Sequence, residues 1–254
     1  MKALKKITLP LAAAAFWLIL WQISSLAVGN PLILPSPIAT LARLAELSLE
    51  ADFWKTVGSS LLRVVIGIFF AIPFSALFAW ICSSSKIADA IFSPAVTLMK
   101  SVPVVSFILI AIFLFDRSVI PSAIAFMMVF PVLYGNIREG ISSVSRELLE
   151  MAKVFRLSVI LKLKRIYAPA IAPYFFAAVT ASVGLALKAG IAAEVIAYIP
   201  VSIGKKLSDA KSYMEPADLL AWTAAILVIG LLLEFLLKVT LKMIQRRRAD
   251  VKAD

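Results

Sequence analysis

The sequence predicts an all-α membrane protein with six transmembrane helices. Three observations support this prediction: the composition, the long uncharged runs and the placement of the basic residues. Hydrophobic residues make up 62% of the 254 residues and charged residues only 16%, against about 45–50% and about 25% in an ordinary soluble domain. A soluble fold of this size could not bury so much apolar surface, and the same figures exclude a disordered chain.

Uncharged runs place the six spans, because a membrane-crossing helix needs about 20 mostly apolar residues. The first run follows three lysines and resembles a secretory signal, with Ala27–Gly29 as an acceptable cleavage site. It is long for a signal and contains Trp17 and Trp21, which favours a retained span. The six predicted spans are residues 9–28, 64–85, 90–115, 118–137, 166–190 and 219–238.

The basic residues indicate which side of the membrane each loop faces. The two ends of the chain, the connection 83–90 and the loop 138–168 hold 17 of the 26 Lys and Arg residues, whereas segments 29–63, 116–118 and 198–217 hold 7. Basic residues accumulate on the cytoplasmic side, so both termini and the loop 138–168 are predicted to be cytoplasmic, with loops 29–63 and 198–217 outside. The net charge of +11 then reflects topology and contact with membrane lipid, and it gives no reason to expect a nucleic-acid partner.

Prolines shape the chain between and within the spans. In the first outer loop, Ser36 before Pro37 matches a helix N-cap with proline at the first helical position, which predicts a short helix near the outer surface. Pro103 lies inside the third span, close to Lys100, and is expected to break it because proline removes a backbone hydrogen bond. Broken backbone at membrane depth is tolerated only against protein or a water-filled cavity, so this break is a candidate part of a transport path.

The loop 138–168 contains seven basic residues and an amphipathic stretch. Over residues 147–154, the apolar side chains of Leu148, Met151 and Val154 fall on one side of a predicted helix. Such a helix could lie on the anionic lipid surface or dock in a groove of a soluble partner. The residues alone leave both interpretations open.

Several motifs, in this order along the chain, resemble the permease subunits of ABC importers. Leu34-Pro35-Ser36-Pro37, Ser101-Val102-Pro103 and Gly190–Val195 are similar to segments of the nitrate/sulfonate/taurine-type subfamily. Between the last two, Glu150-Met151-Ala152, Ile166 and Pro169 resemble the signature loop of these permeases, at the same spacing.

Two positions depart from that signature. Met151 replaces an alanine, which is a mild change. Arg156 occupies the position of a glycine that would allow a sharp turn, so it is open whether this loop turns in the same way. The resemblance assigns contact with an ATPase to Glu150, Met151, Ala152, Lys153, Arg156, Ile166 and Pro169.

The resemblance implies an ABC-importer permease-like bundle in the bacterial cytoplasmic (inner) membrane. Two permease subunits, expected as a homodimer, would form the pathway for a small solute delivered by an extracytoplasmic solute-binding protein. Two cytoplasmic ATPase subunits would each receive the loop 147–169. The chain has no glycine-rich phosphate loop, so ATP would be hydrolysed by that partner, and neither a cofactor nor an enzymatic activity is expected of this chain.

Charges inside the predicted spans are further candidates for function. Such residues usually face a bundle interior or water, and two lysines there would favour an anionic substrate. The alternative is that they pair with acidic side chains or with helix-end carbonyls. Glu234 and Lys238 are spaced i, i+4 with Glu first, which predicts a structural ion pair. The candidate pathway-lining residues are Lys100, Pro103, Lys188 and Glu194.

Two other functions fit a polytopic chain less well. A self-contained secondary transporter would normally show related halves, and no internal repeat is evident. A membrane-embedded enzyme is disfavoured because the chain has no histidine and no cluster of acidic residues with metal-ligand spacing. The single cysteine, Cys82, excludes an intrachain disulfide and a Cys/His zinc site. No catalytic and no metal-binding residue is therefore predicted.

Overall fold

A computed structural model describes residues 2–250 of the chain, and most of these residues are helical. Within this part eleven α-helices form, one π-helical turn (Leu163–Tyr167) joins α8 to α9, and no strand is present. The helices are α1 (Lys2–Val28), α2 (Pro37–Ser48), α3 (Ala51–Ser84), α4 (Lys86–Ser101), α5 (Val104–Leu114), α6 (Ile120–Ser142), α7 (Arg146–Val154), α8 (Val159–Lys162), α9 (Ala168–Ala197), α10 (Ile203–Ser212) and α11 (Pro216–Asp250).

Four of the described helices are long and apolar enough to cross a membrane. They are α3, α6, the segment Pro216–Leu241 of α11, and the continuous 39-residue helix Val159–Ala197, which runs from α8 through α9. The bent pair α4 and α5 would make a fifth crossing if it counts as one span. The described apolar stretch of α1 is Ala12–Val28, which is shorter than a full span. The helical membrane class is therefore supported, whereas six spans and cytoplasmic termini stay predictions.

The connection between α4 and α5 is sharply bent. α4 ends at Ser101 and α5 begins at Val104, and the two helices differ in direction by 108°. Pro103 stands at the bend, where its missing N–H and fixed φ prevent the helix from continuing. The predicted break is confirmed. Pro73 and Pro131, by contrast, lie inside the continuous helices α3 and α6.

Helix α6 makes the most extensive contacts in the described bundle, with α3 and with α9. Two glycines allow the backbones to approach closely. A Cβ added at Gly67 would lie 2.5 Å from the carbonyl oxygen of Ser122, and one added at Gly140 would lie 2.9 Å from the Cα of Ile171. Small residues at such crossings are a common means of association between membrane helices.

Two short helices occupy the predicted outer loops. The start of α2 is confirmed, because Pro37 is its first residue and the Ser36 hydroxyl accepts a hydrogen bond of 3.2 Å from the Ala39 N–H. The helix α10 was not predicted, although Ser202 is a local N-cap and Ile203, Leu207 and Ala210 have the spacing of one apolar helix face. It packs against α9 and α11.

Candidate functional site

The docking segment, which we define as residues 147–169, follows α6, reaches the first turn of α9 and includes two short helices, α7 and α8. α7 begins after Ser145, whose hydroxyl accepts a hydrogen bond of 3.3 Å from the Leu148 N–H. Hydrogen bonds from the backbone N–H of Glu147 and from the Ser145 hydroxyl lower the pKa of the Glu147 carboxyl, so its charged form is favoured at the positive end of the helix. α8 begins in the same way, after Ser158.

A sharp turn at Arg156 separates the two pieces. Arg156 has a positive φ of 48°, the left-handed conformation that favours glycine. The Arg156 N–H donates to the Lys153 carbonyl and the Leu157 N–H donates to the Ala152 carbonyl, both at 3.0 Å. These two bonds form the Schellman motif, which often ends a helix at a glycine. The segment therefore makes the turn that a glycine would allow, with arginine in its place.

Apolar side chains of the docking segment are uncovered. Val154 is 78% exposed and Phe155 is 70% exposed, and Val159 is exposed as well. By contrast, Ala152 is fully buried and Ile166 is 8% exposed, so these two signature side chains are covered within the chain itself. Exposed apolar patches of this kind mark contacts with another protein or with a membrane.

Pro169 lies in the first turn of α9 and is exposed. It follows the π-helical turn Leu163–Tyr167, after which the Ala168 N–H donates to the Leu163 carbonyl. Proline has no N–H to donate to the preceding turn, so the hydrogen-bond pattern must change near it. The other signature residues, Glu150, Met151 and Lys153, lie exposed on α7.

The predicted pathway residues fall into two groups. Lys100, Pro103 and Lys188 are exposed, and neither lysine has an acidic partner among the side chains that the structure describes. The Lys100 ammonium reaches α6, where a Cβ added at Gly135 would lie 3.6 Å from it. Glu194, in contrast, is only 1% exposed and has a basic partner. A pathway role stays a prediction for all four residues.

Glu194 is the centre of a buried polar cluster, which we call the outer clamp: Ser60, Arg63, Glu194 and Gly204. Its carboxylate accepts hydrogen bonds from the Ser60 hydroxyl (2.8 Å), the Arg63 guanidinium (3.1 Å) and the Gly204 N–H (3.2 Å). The Ser60 oxygen in turn accepts from the Ile203 N–H at 2.9 Å. Both backbone donors belong to the first turn of α10, whose N–H groups have no partner within the helix. The outer clamp thus joins α3, α9 and α10.

Sequence reasoning found Glu194 but missed its partners. Ser60 and Arg63 are 134 and 131 residues away along the chain, and in the sequence Arg63 is only the charged residue before the predicted span 64–85. A charge at the edge of an apolar run does signal a need for a partner. One sequence, however, does not show which distant residue supplies it.

Among the other ion pairs, the sequence likewise predicted a pair within one helix and missed the pairs between helices. The local pair Glu234–Lys238 on α11 was predicted and is confirmed at 2.6 Å. Pairs between different helices were not predicted. They are Arg43–Asp218 (2.5 Å), Arg138–Asp89 (2.5 Å) and Lys206–Asp52 (2.7 Å).

These features define a class of protein: a multi-pass helical membrane protein with an exposed, basic segment between two of its long helices. No group of residues suited to hold a metal ion occurs in the part of the chain that the structure describes. Residues 71–250 match the family of the binding-protein-dependent transport system inner membrane component. The match spans more than half of the chain, and the chain belongs to this family. It is a translocation component of the inner membrane rather than an enzyme, and the resemblance to ABC-importer permeases is confirmed.

Characterised relatives are of the nitrate/sulfonate/taurine type. The chain is 29% identical over 241 residues to the bicarbonate transport system permease protein CmpB of Synechococcus elongatus, covering 90% of this chain and 86% of that protein. It is 23% identical over 250 residues to the taurine transport system permease protein TauC of Escherichia coli, covering 96% and 89%. It is 27% identical over 241 residues to the nitrate import permease protein NrtB of a Synechocystis species, covering 90% and 86%.

A solved structure shares the fold. The crystal structure of an amino acid ABC transporter with histidines matches with a TM-score of 0.58 at 16% identity, over 82% of this chain and 96% of that chain. This likeness concerns the arrangement of helices alone.

Proposed function

We propose that this chain is the permease subunit of an ATP-driven ABC importer. It forms the translocation pathway for a small solute that an extracytoplasmic binding protein delivers. The docking segment, residues 147–169, couples it to a separate cytoplasmic ATPase subunit. The working assembly contains two copies of the chain, as a homodimer, and two ATPase subunits. Family membership supports the transport role, and the geometry of the docking segment supports the coupling.

The docking segment is the observation that carries the proposal. The turn at Arg156 sets the direction of α7 relative to α8, and so determines where the exposed side chains are presented. Val154 and Phe155 supply apolar anchors, with Glu150 and Lys153 beside them in sequence. Apolar anchors with a polar surround suit a groove on a protein partner. α7, at whose C-terminal end these anchors lie, contains as many acidic as basic residues, so this helix itself gains little from anionic headgroups.

The long helix Val159–Ala197 provides a route for movement. It begins inside the docking segment and continues for 39 residues, which corresponds to about 58 Å at the usual rise per residue. A displacement of the docking segment by the ATPase would move one end of this helix. Rocking of packed helices as rigid bodies is an established form of conformational switching, and here it would alternate access to the pathway.

Charge reversal at Glu150 tests the coupling. Glu150→Lys is expected to lower solute uptake about tenfold or more and to weaken copurification of the ATPase, because a loss of about 1.4 kcal/mol in binding already means a tenfold weaker complex. Uptake into proteoliposomes and pull-down in detergent measure the two effects. Glu139→Lys is the matched control, since Glu139 is also exposed but lies on α6 outside the docking segment. Normal uptake and normal pull-down with Glu150→Lys would refute the proposal.

The transported solute is proposed to be a small anion. The names of the relatives include bicarbonate and nitrate, and Lys100 and Lys188 are exposed cations without an acidic partner in the described chain. Cations inside a helical bundle often mark the path of an ion. Lys188→Met is expected to reduce uptake of the anion severalfold, while Lys86→Met, at the exposed start of α4, leaves it unchanged. Equal uptake by the Lys188→Met protein and the parent would exclude a pathway role for this lysine.

A self-contained secondary transporter remains the alternative with a direct test. Such a protein would move solute down an ion gradient without an ATPase. Uptake by the chain reconstituted alone, in the absence of ATP, would favour that alternative. The family assignment and the uncovered docking segment favour the importer.

A further inference from the structure

The carboxylate of Glu194 is buried yet fully partnered. One oxygen accepts from Arg63 and the other accepts from Ser60 and from Gly204. A charge removed from water to this degree is tolerated only when such partners are present. The sequence motif Gly190–Val195, which the importer function does not by itself explain, therefore contains the anchor of a specific three-helix junction.

The partners of this carboxylate include the beginning of α10. The Ile203 and Gly204 N–H groups donate to Ser60 and Glu194, and the Lys205 N–H donates to the Ser202 hydroxyl at 3.0 Å. The N–H groups at the start of a helix carry a partial positive charge that favours an anion. The carboxylate of Glu194 on α9 is such an anion, so a side chain of one helix binds the N-terminus of another.

The fit leaves no room for a side chain at the junction. A Cβ added at Gly204 would lie 2.5 Å from the backbone nitrogen of Val195 and 2.6 Å from the carbonyl carbon of Glu194. Ser202 and Ile203 are both fully buried. The backbone of α10 therefore rests directly on the last turns of α9.

Glu194 also ends the helix to which it belongs. Its backbone carbonyl accepts hydrogen bonds from the Tyr198 N–H and, at 3.1 Å, from the Ile199 N–H. Tyr198 has a positive φ of 52°, which turns the chain away from the axis of α9. The backbone carbonyl of Glu194 thus accepts the hydrogen bonds that end α9, and its side-chain carboxylate accepts one at the start of α10.

From these contacts we propose that Glu194 is a positioning residue that fixes the outer segment, residues 198–214, to the end of α9. The outer segment then moves with α9 as one body. Because the same long helix begins in the docking segment, motion imposed at one end is delivered to a folded element at the other end. This consequence for transport rests on the proposed function, whereas the positioning itself does not.

Thiol labelling of the purified chain in detergent tests the positioning. Ala210→Cys places a reporter on a buried face of α10, and the native Cys82, buried near the far end of α3, serves as a remote reporter. Adding Glu194→Gln is expected to speed maleimide labelling at position 210 about tenfold or more, because weakly held segments open locally. Labelling of Cys82 should stay unchanged. Glutamine keeps the shape but has one acceptor oxygen in place of two, so its NH2 group must face either Arg63 or the Ser60 and Gly204 donors.

The matched control removes a different contact between α3 and α10. Asp52→Asn breaks the pair with Lys206, in which both side chains are more than one-third exposed, so labelling at position 210 should change less than about twofold. If Glu194→Gln does not accumulate, Ser60→Ala removes one partner only and should give an intermediate increase. Unchanged labelling at position 210, or an equal rise at position 210 and at Cys82, would overturn the proposal.

The assembled importer offers a second measurement. With the ATPase bound, Glu194→Gln is expected to retain ATP hydrolysis while losing most uptake, since the motor would no longer move the outer segment. The labelling experiment requires neither an ATPase nor a solute. Failure of the importer assignment and failure of the positioning role are therefore distinguishable.

Discussion

The long helix Val159–Ala197 has two ends that are built in opposite ways. At the docking end, local backbone hydrogen bonds hold two short helices, and large apolar side chains such as Val154 and Phe155 remain uncovered. At the outer end, side chains from distant parts of the chain enclose a buried charge, Glu194. The outer end has thus used its contacts within the chain, whereas the docking end leaves apolar side chains available for the partner contact that we propose.

The same contrast appears at two backbone positions. Gly204 at the outer end lies where no Cβ fits against α9. Arg156 at the docking end adopts a conformation that favours glycine, yet it carries a long charged side chain. At the outer end, the absence of a side chain at Gly204 permits close packing. At the docking end, Arg156 keeps a side chain although its backbone conformation is less favourable.

The largest effect is expected from Arg63→Met, which removes the only charged partner of Glu194 in the described chain. Loss of one member of a buried ion pair typically costs about 3 kcal/mol or more, and Arg63 is mostly buried. We expect a clear fall in the thermal midpoint of the detergent-purified protein. The buried Cys82 thiol allows this to be followed with a thiol-reactive dye.

Arg43→Met is the control for this change. Arg43 also pairs with an acidic residue on another helix, Asp218, but both side chains are more exposed than those at the outer clamp. Because water screens this bidentate pair more than the one at Glu194, Arg43→Met is expected to lower the thermal midpoint less than Arg63→Met. Equal shifts for the two variants would contradict a difference between the buried pair and the more exposed one.

Gly204→Ala is expected to have the next largest effect. The new methyl group would collide with backbone atoms of Glu194 and Val195, which cannot move as a flexible side chain would. Overpacking of this kind costs about 2 kcal/mol, and the outer segment should be displaced from α9. Hydrogen exchange of the α10 amides would report this displacement. Gly58→Ala on α3 is the control, because a Cβ there meets nothing within 4 Å, and exchange in α10 should then be unaltered.

The features that sequence analysis predicted correctly are those that depend on neighbouring residues. Ser36 and Pro37 start α2, and Pro103 stops α4 from continuing, through hydrogen bonds made or lost within one turn. The helix α10 escaped prediction because its charged residues obscured two local signals, the N-cap residue Ser202 and the helical spacing of Ile203, Leu207 and Ala210. The turn at Arg156 could not be predicted from residue type, because arginine disfavours the conformation that the surrounding hydrogen bonds impose.

The smallest effect is expected from Arg156→Gly. A left-handed conformation costs a residue with a side chain about 1–2 kcal/mol, and glycine loses roughly 0.5–1 kcal/mol of this gain through its extra freedom in the unfolded chain. The turn should therefore be stabilised by about 0.5 kcal/mol, which corresponds to about twofold slower hydrogen exchange at the Arg156 and Leu157 amides. Arg156→Val should accelerate exchange, because β-branched side chains fit this conformation poorly. Faster exchange in the glycine variant would show that the Arg156 side chain holds the turn. If exchange slows while copurification of the ATPase falls, the arginine contributes to the partner contact at the expense of the turn, as the comparison of the two ends predicts.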